Sequence, residues 1–163
     1  MDKAFFYAAE ALAAQEVPVG RNTVNETKNA TRHAELNCID QVVDYCRTNN
    51  LDQEGVFREL SVYVTVEPCI MCSAALYDLK VKQIVYGCQN DRFGGSTVFD
   101  VAAVLRPVTI VKGGHRAEEA MGLLKEFYKG TNPSAPPSKL RHGKVFSNSK
   151  TDCTPKTSLK NWN

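Results

Sequence analysis

The chain has 163 residues, of which 43% are apolar and 23% charged, with a formal net charge of +2. That is the length of one domain with room for a substantial core, and the balance excludes collagen-like, low-complexity and wholly disordered chains. Six cysteines without paired spacing point to thiols kept reduced, hence to an intracellular protein.

At the N-terminus, Lys3 precedes an apolar run as in a secretory leader, but Glu10 interrupts that run. The spacing of Phe5, Ala8, Ala9 and Leu12 predicts an amphipathic helix over residues 4–15 instead. No stretch is long enough to span a bilayer as a helix. Val17-Pro18-Val19-Gly20 breaks the first helix, and the polar stretch 21–31, with Asn22, Asn25 and Asn29, reads as a loop.

Leu36, Ile39, Val43 and Cys46 recur at helical spacing and predict a second helix over 32–47. His33 and Glu35 fall in its first turn, where unpaired N–H groups and the positive end of the dipole favour developing negative charge. After a loop over 48–55, Ser61 to Val66 is β-branched and aromatic, the composition of a strand. It runs straight into Glu67-Pro68-Cys69, and Pro68 marks the start of a third helix that carries the cysteines. Side chains from two helix starts then meet over the end of a sheet, where open α/β sheets hold their ligands.

Further strands are expected over 83–87 and 108–112, separated by a mobile Asp91-Arg92-Phe93-Gly94-Gly95 loop and the apolar run 98–105. A last helix spans 116–129. Residues 131–163, rich in Pro, Ser and Lys, read as a disordered tail to a domain of residues 1–130. The tail carries six basic side chains against one acidic, so the body is net negative. A basic tail suits a nucleic-acid partner, and equally a merely solvated end.

Chemistry concentrates in Glu67-Pro68-Cys69-Ile70-Met71-Cys72 and His33-Ala34-Glu35. Two thiolates three residues apart at a helix start, with one imidazole, make a soft three-ligand set for zinc. Closed structural sites take four protein ligands, whereas three leave a position for water, and Glu35 places a carboxylate beside it to move protons. A C-x-x-C pair alone also fits a redox dithiol or a zinc ribbon, but neither gives His33 and Glu35 a role. Cys38, Cys46, Cys88 and Cys153 stand singly, and at the first three, on or beside regular elements, a cysteine is more often a small buried apolar group. The pattern H-x-E with a later P-C-x-x-C is the signature of zinc nucleobase deaminases.

The text around that signature is more specific. Glu16-Val17-Pro18-Val19-Gly20, Thr31-Arg32-His33-Ala34-Glu35 and Val66-Glu67-Pro68-Cys69-Ile70-Met71-Cys72 resemble the tRNA wobble adenosine deaminases. Residues 85–95 and 116–120 look more like the catalytic subunit of the eukaryotic heterodimer than its bacterial homodimeric relative. The resemblance covers roughly residues 1–140. It implies a three-layer α-β-α cytidine-deaminase-like α/β fold with a central mixed sheet, and hydrolysis of adenosine to inosine at position 34 of tRNA. It also implies a paralogous, catalytically inactive partner subunit and a protein of the cytoplasm or nucleus.

Residue by residue, the resemblance makes His33, Cys69 and Cys72 zinc ligands and Glu35 the proton shuttle. Asn22 would bond the target base, with Val19, Ala34 and Pro68 lining its pocket. Phe127, Tyr128 and Lys129 would touch the anticodon loop, joined by Lys139 and Arg141 from the tail. The nearest alternatives are a deaminase of free cytidine or deoxycytidylate, and a non-catalytic zinc-bearing tRNA-binding subunit, which the presence of Glu35 disfavours. One departure stands out: the family's first β-hairpin lies between the Val-Pro-Val-Gly turn and the Arg-Asn pair, yet here Gly20 is followed directly by Arg21. The segment after Ser96 is also short. Either the chain folds on about three strands with one sheet edge exposed, or the sequence is a gapped form of a longer one.

Overall fold

The computed structural model describes residues 1–129; the segment expected as a tail, with Lys139 and Arg141, lies outside the described residues. The elements run α1 (Asp2–Ala13), α2 (Val24–Thr27), α3 (Ala34–Thr48), α4 (Gln53–Glu59) and β1 (Ser61–Val66). They continue with α5 (Ile70–Asp78), β2 (Gln83–Cys88), α6 (Val101–Leu105), β3 (Ile110–Lys112) and α7 (Ala117–Lys129). Helix α2 falls where a loop was expected, and α4 begins inside the loop expected over 48–55 and runs beyond it. Each begins in a polar stretch too short to show a helical period, and α4 is marked instead by Asp52, whose carboxylate accepts from Gly55 N–H at 3.0 Å.

The strands form one sheet in the order β1-β2-β3. Ser61 pairs with Gln83 and Val66 with Cys88, and Gln83 pairs with Ile110, all in parallel. The expected sheet was mixed, and the difference has a local cause. A hairpin would contribute an antiparallel pair, and here the chain turns from Gly20 to Arg21 without one. Gly20 takes φ +65°, and Val19 N–H and Asn22 N–H each donate two residues back, to Val17 O at 2.7 Å and Gly20 O at 3.1 Å. Two tight turns thus stand where the family's first hairpin would lie.

Helices cover both faces. On one, Val62, Val64, Ile84 and Tyr86 pack with Phe57, Leu76 and Tyr77, and against Ile39, Val42 and Val43 of α3. Val62 and Val64 alternate with the half-exposed Tyr63, as a strand's period of two requires. On the other face lie α1, buried through Ala4, Phe5, Ala8 and Ala11, and α7, buried through Ala120. Ala9, expected on the buried side of α1, is exposed. Gly87 permits the close approach of α7: a Cβ there would lie 2.3 Å from Thr65 O and 3.0 Å from Ala120 Cβ. Three layers result, and the C-terminal ends of the parallel strands open toward the starts of α3 and α5.

Candidate active site

The start of α5 grows directly out of β1. Cys69 is its N-cap, with Sγ accepting from Cys72 N–H at 3.5 Å, and Cys72 follows one turn on, fully buried. His33 is the N-cap of α3. Its Nδ1 lies 3.5 Å from Cys69 Sγ and 3.5 Å from Cys72 Sγ. The three ligand atoms sit within 4.8 Å of one another.

These distances test the fit to zinc. Zn–N and Zn–S bonds of about 2.0–2.1 and 2.3 Å at a tetrahedral angle put nitrogen and sulfur about 3.5 Å apart, the separation found for both sulfurs. The cluster has three members among the described residues, one fewer than a closed structural site takes. The Cys69 thiol is held down to about 4 by the neighbouring Cys72 and His33 side chains, the direction that suits a zinc ligand. The Cys72 thiol is pushed up by the neighbouring Cys69 and by burial, while the His33 imidazole is pushed up by its bond to Cys69.

Glu35 is the second residue of α3, in its first turn, and is 3% exposed. Burial pushes its carboxyl up to about 7, where it can both accept and release a proton near neutrality. Glu35, His33 and Cys69 face a cleft of about 1090 Å³, also lined by Val19, Asn22 and Ala34. Tyr128 and Lys129 lie along its α7 side, and Arg92 sits 5.8 Å above the Tyr128 ring. Phe127 does not line the cleft; it is half-buried and meets Tyr128 edge-on at 5.2 Å. Pro68 is buried behind the wall, its carbonyl accepting from Gly95 N–H at 3.0 Å and Ser73 O–H at 3.1 Å.

Two residues that hold the site were not found from the sequence. Glu67 is 3% exposed, and its carboxylate accepts from Asn90 N–H at 3.0 Å, Ser96 N–H at 2.8 Å, Thr97 N–H at 2.9 Å and Thr97 O–H at 2.6 Å. Burial alone would raise its carboxyl, but bonds from Thr97, Asn90 and Ser96 outweigh burial and hold it below the usual range. Ile70 N–H donates to Phe93 O at 2.8 Å as well. The loop expected to be mobile is therefore tied to the cysteine motif, and Asp91, Arg92 and Phe93 become part of the cleft. Glu16, 2% exposed, plays a similar part beside Asn22. Both were legible only as charged residues next to a proline motif, with nothing to mark them as buried.

A profile described as the cytidine and deoxycytidylate deaminase zinc-binding region matches residues 5–88. A tRNA-specific adenosine deaminase 2 from Xenopus tropicalis is 51% identical over 159 residues, covering 86% of this chain and 94% of its own. The tRNA-specific adenosine deaminase subunit tad2 of Schizosaccharomyces pombe is 36% identical, over 85% of this chain and 39% of its own. A structure solved in a study of A-to-I editing by tRNA:A34 deaminases superposes with a TM-score of 0.62 at 25% identity, over 76% of this chain and 97% of that one. Because 86% of 163 residues is about 140, about 19 of the 159 positions aligned with the Xenopus protein have no counterpart here, enough to hold the absent hairpin. The site and these likenesses agree: the chain belongs to the zinc-binding cytidine and deoxycytidylate deaminase superfamily and, within it, to the tRNA-specific adenosine deaminase 2 family.

Proposed function

We propose that the chain hydrolyses adenosine to inosine at the wobble position of tRNA, with His33, Cys69 and Cys72 holding zinc and Glu35 moving the protons. The observation that carries this reading is a three-member ligand cluster beside a buried carboxylate, opening on one wide cleft. Zinc held there would supply Lewis acidity that lowers the pKa of a water toward about 7. Glu35 would take one proton from the attacking water and hand it to N1 of adenine as the water oxygen bonds to C6. It would then take the second proton from the new C6 hydroxyl and pass it to the amino group as the C6–N6 bond breaks, so that water and adenosine give inosine and ammonia. Asn22, Val19 and Ala34 hold the base in the cleft.

The cleft's lining favours a polynucleotide over a free nucleoside. Its α7 wall carries Lys125, Tyr128 and Lys129, with Arg92 over the Tyr128 ring. A base must be splayed out to reach Glu35, which costs least in a single-stranded anticodon loop. Tyr128 and Arg92 offer it a stacking surface, and Lys125 and Lys129 meet the phosphates.

The Schizosaccharomyces relative is named as a subunit, and this chain acts in the same way, beside a second deaminase-fold subunit that lacks the glutamate. The reaction belongs inside the cell, where tRNA is and where reduced thiols persist. The test is inosine formation on a tRNA bearing A34 by zinc-loaded protein, with and without that subunit, alongside free cytidine and deoxycytidylate. Inosine in the tRNA alone is expected. Ammonia from the free nucleotides and none from tRNA would overturn the reading.

A further inference from the structure

Helix α2 is a single turn, and its N-cap residue, Thr23, makes no side-chain cap bond. The N–H groups that a helix start leaves unpaired are taken by two other side chains. Asn22 Oδ1 accepts from Val24 N–H at 3.0 Å. Glu16 reaches over from beyond the end of α1 and accepts from Asn25 N–H at 2.9 Å and Glu26 N–H at 2.5 Å. Asn25 Nδ2 fastens the same junction by donating to Gln15 O at 2.7 Å. Glu16 is thus a cap supplied from another part of the chain, and its burial means that water cannot replace it.

This arrangement decides which end of the Asn22 amide is available. Its oxygen is engaged by Val24, whereas Nδ2 makes no hydrogen bond among the described residues, and Asn22 lines the cleft. An amide NH₂ only donates, and the ring nitrogens of adenine only accept. Asn37, in α3, pins the chain on either side by donating to Arg21 O and Thr23 Oγ1, each at 3.0 Å. Without Glu16, the first turn of α2 would lose two of its partners, and the Val24–Asn22 bond that turns the amide would lose its frame.

We infer that Glu16 is a positioning residue for substrate recognition: by capping α2 from outside, it orients Asn22 with its oxygen inward and its N–H toward an acceptor on the substrate base. The inference rests on the deaminase reading through Asn22. In Glu16→Gln the size is kept, but one head atom becomes a donor facing a donor. Loss of a cap of this kind lowers kcat/KM about tenfold, with zinc still at one per chain. The same change made in Asn22→Ala should alter kcat/KM less than about twofold, because a residue acting through Asn22 has nothing left to position. Asn22→Asp, which puts an acceptor where the donor was, should fall below Asn22→Ala.

A readout independent of turnover keeps the inference separate from its parent. In the free protein, Glu16→Gln should shift the Asn22 side-chain amide signals in NMR spectra and raise hydrogen exchange at Asn25 and Glu26. Unmoved Asn22 signals, an equal loss in the Asn22→Ala background, or loss of zinc from Glu16→Gln would each overturn the positioning role. Wild-type protein inert on A34 would sink the deaminase reading, while the spectra would still decide whether Glu16 orients Asn22. Asn22→Asp settles the donor assignment even where Glu16→Gln does not fold.

Discussion

The cleft has two unlike walls. One is built from the end of β1, the start of α5 and residues 90–97, in which a strand runs straight into a helix and Glu67 gathers the loop with four hydrogen bonds. The other, residues 16–32, has two tight turns and a one-turn helix, with Glu16 and Asn37 as its fastenings. The first wall carries Cys69 and Cys72 on regular structure, and the second carries Asn22 on irregular structure and leads into His33. Two of the three candidate ligands are therefore held apart from the absent hairpin, whereas Asn22 rests on side-chain anchors.

The largest effect should come from the floor that both walls share. Glu35→Gln should lower kcat by about 10³–10⁴-fold, in the range of a lost general acid–base, with zinc retained. Single-turnover kinetics with metal analysis check this, and substantial residual turnover would break the assignment of Glu35.

Next comes the latch of the first wall. Glu67→Gln strands buried N–H donors and should cost about 2 kcal/mol in urea unfolding at neutral pH. The folded carboxyl titrates below its ordinary value, so its stabilisation is whole above that value, about 4.3, and disappears as pH falls through the folded one. Wild type and variant should converge in midpoint in acid. A gap that persists there would mean that the hydrogen bonds to the carboxylate are not the source of the stability.

The second wall should respond more to backbone strain. Gly20→Ala forces a side chain into φ +65° with its Cβ 3.3 Å from Ala34 Cβ, which should cost about 1–2 kcal/mol. Because Ala34 lies between His33 and Glu35, kcat should fall with it, as steady-state assays on tRNA would register. The smallest effect belongs to the rim. Tyr128→Ala removes an exposed ring under Arg92 and should raise KM about threefold, near the exposed limit for a cation–π contact, with kcat unchanged.

The two walls also differ in how far the sequence betrays them. The β-branched run 61–66 and the motif after it read directly as strand, turn and helix, and the structure agrees at β1 to the residue. His33 and Glu35 were legible for the same reason, since Leu36, Ile39 and Val43 place their helix to within two residues: it was expected from residue 32 and begins at Ala34, with His33 as its N-cap. Residues 21–31 gave no period, because α2 exists through bonds to a carboxylate nine and ten positions away. Asp91 to Gly95 looked loose because glycine content was visible and the Glu67 side chain that binds the loop was not. Anchoring by distant buried carboxylates leaves no local pattern, and it is what both misread loops have in common.

The outer margin of β1 carries its own consequence. With β2 along one side and no strand along the other among the described residues, it leaves a short row of main-chain donors and acceptors without a ladder partner around Tyr63, the one exposed residue of β1. Such a row is a template for pairing with a strand of another molecule. Concentrated solutions of this chain should form sheet-rich oligomers that bind thioflavin more readily than those of a relative with its hairpin, and a lysine at position 63 should keep the molecules apart.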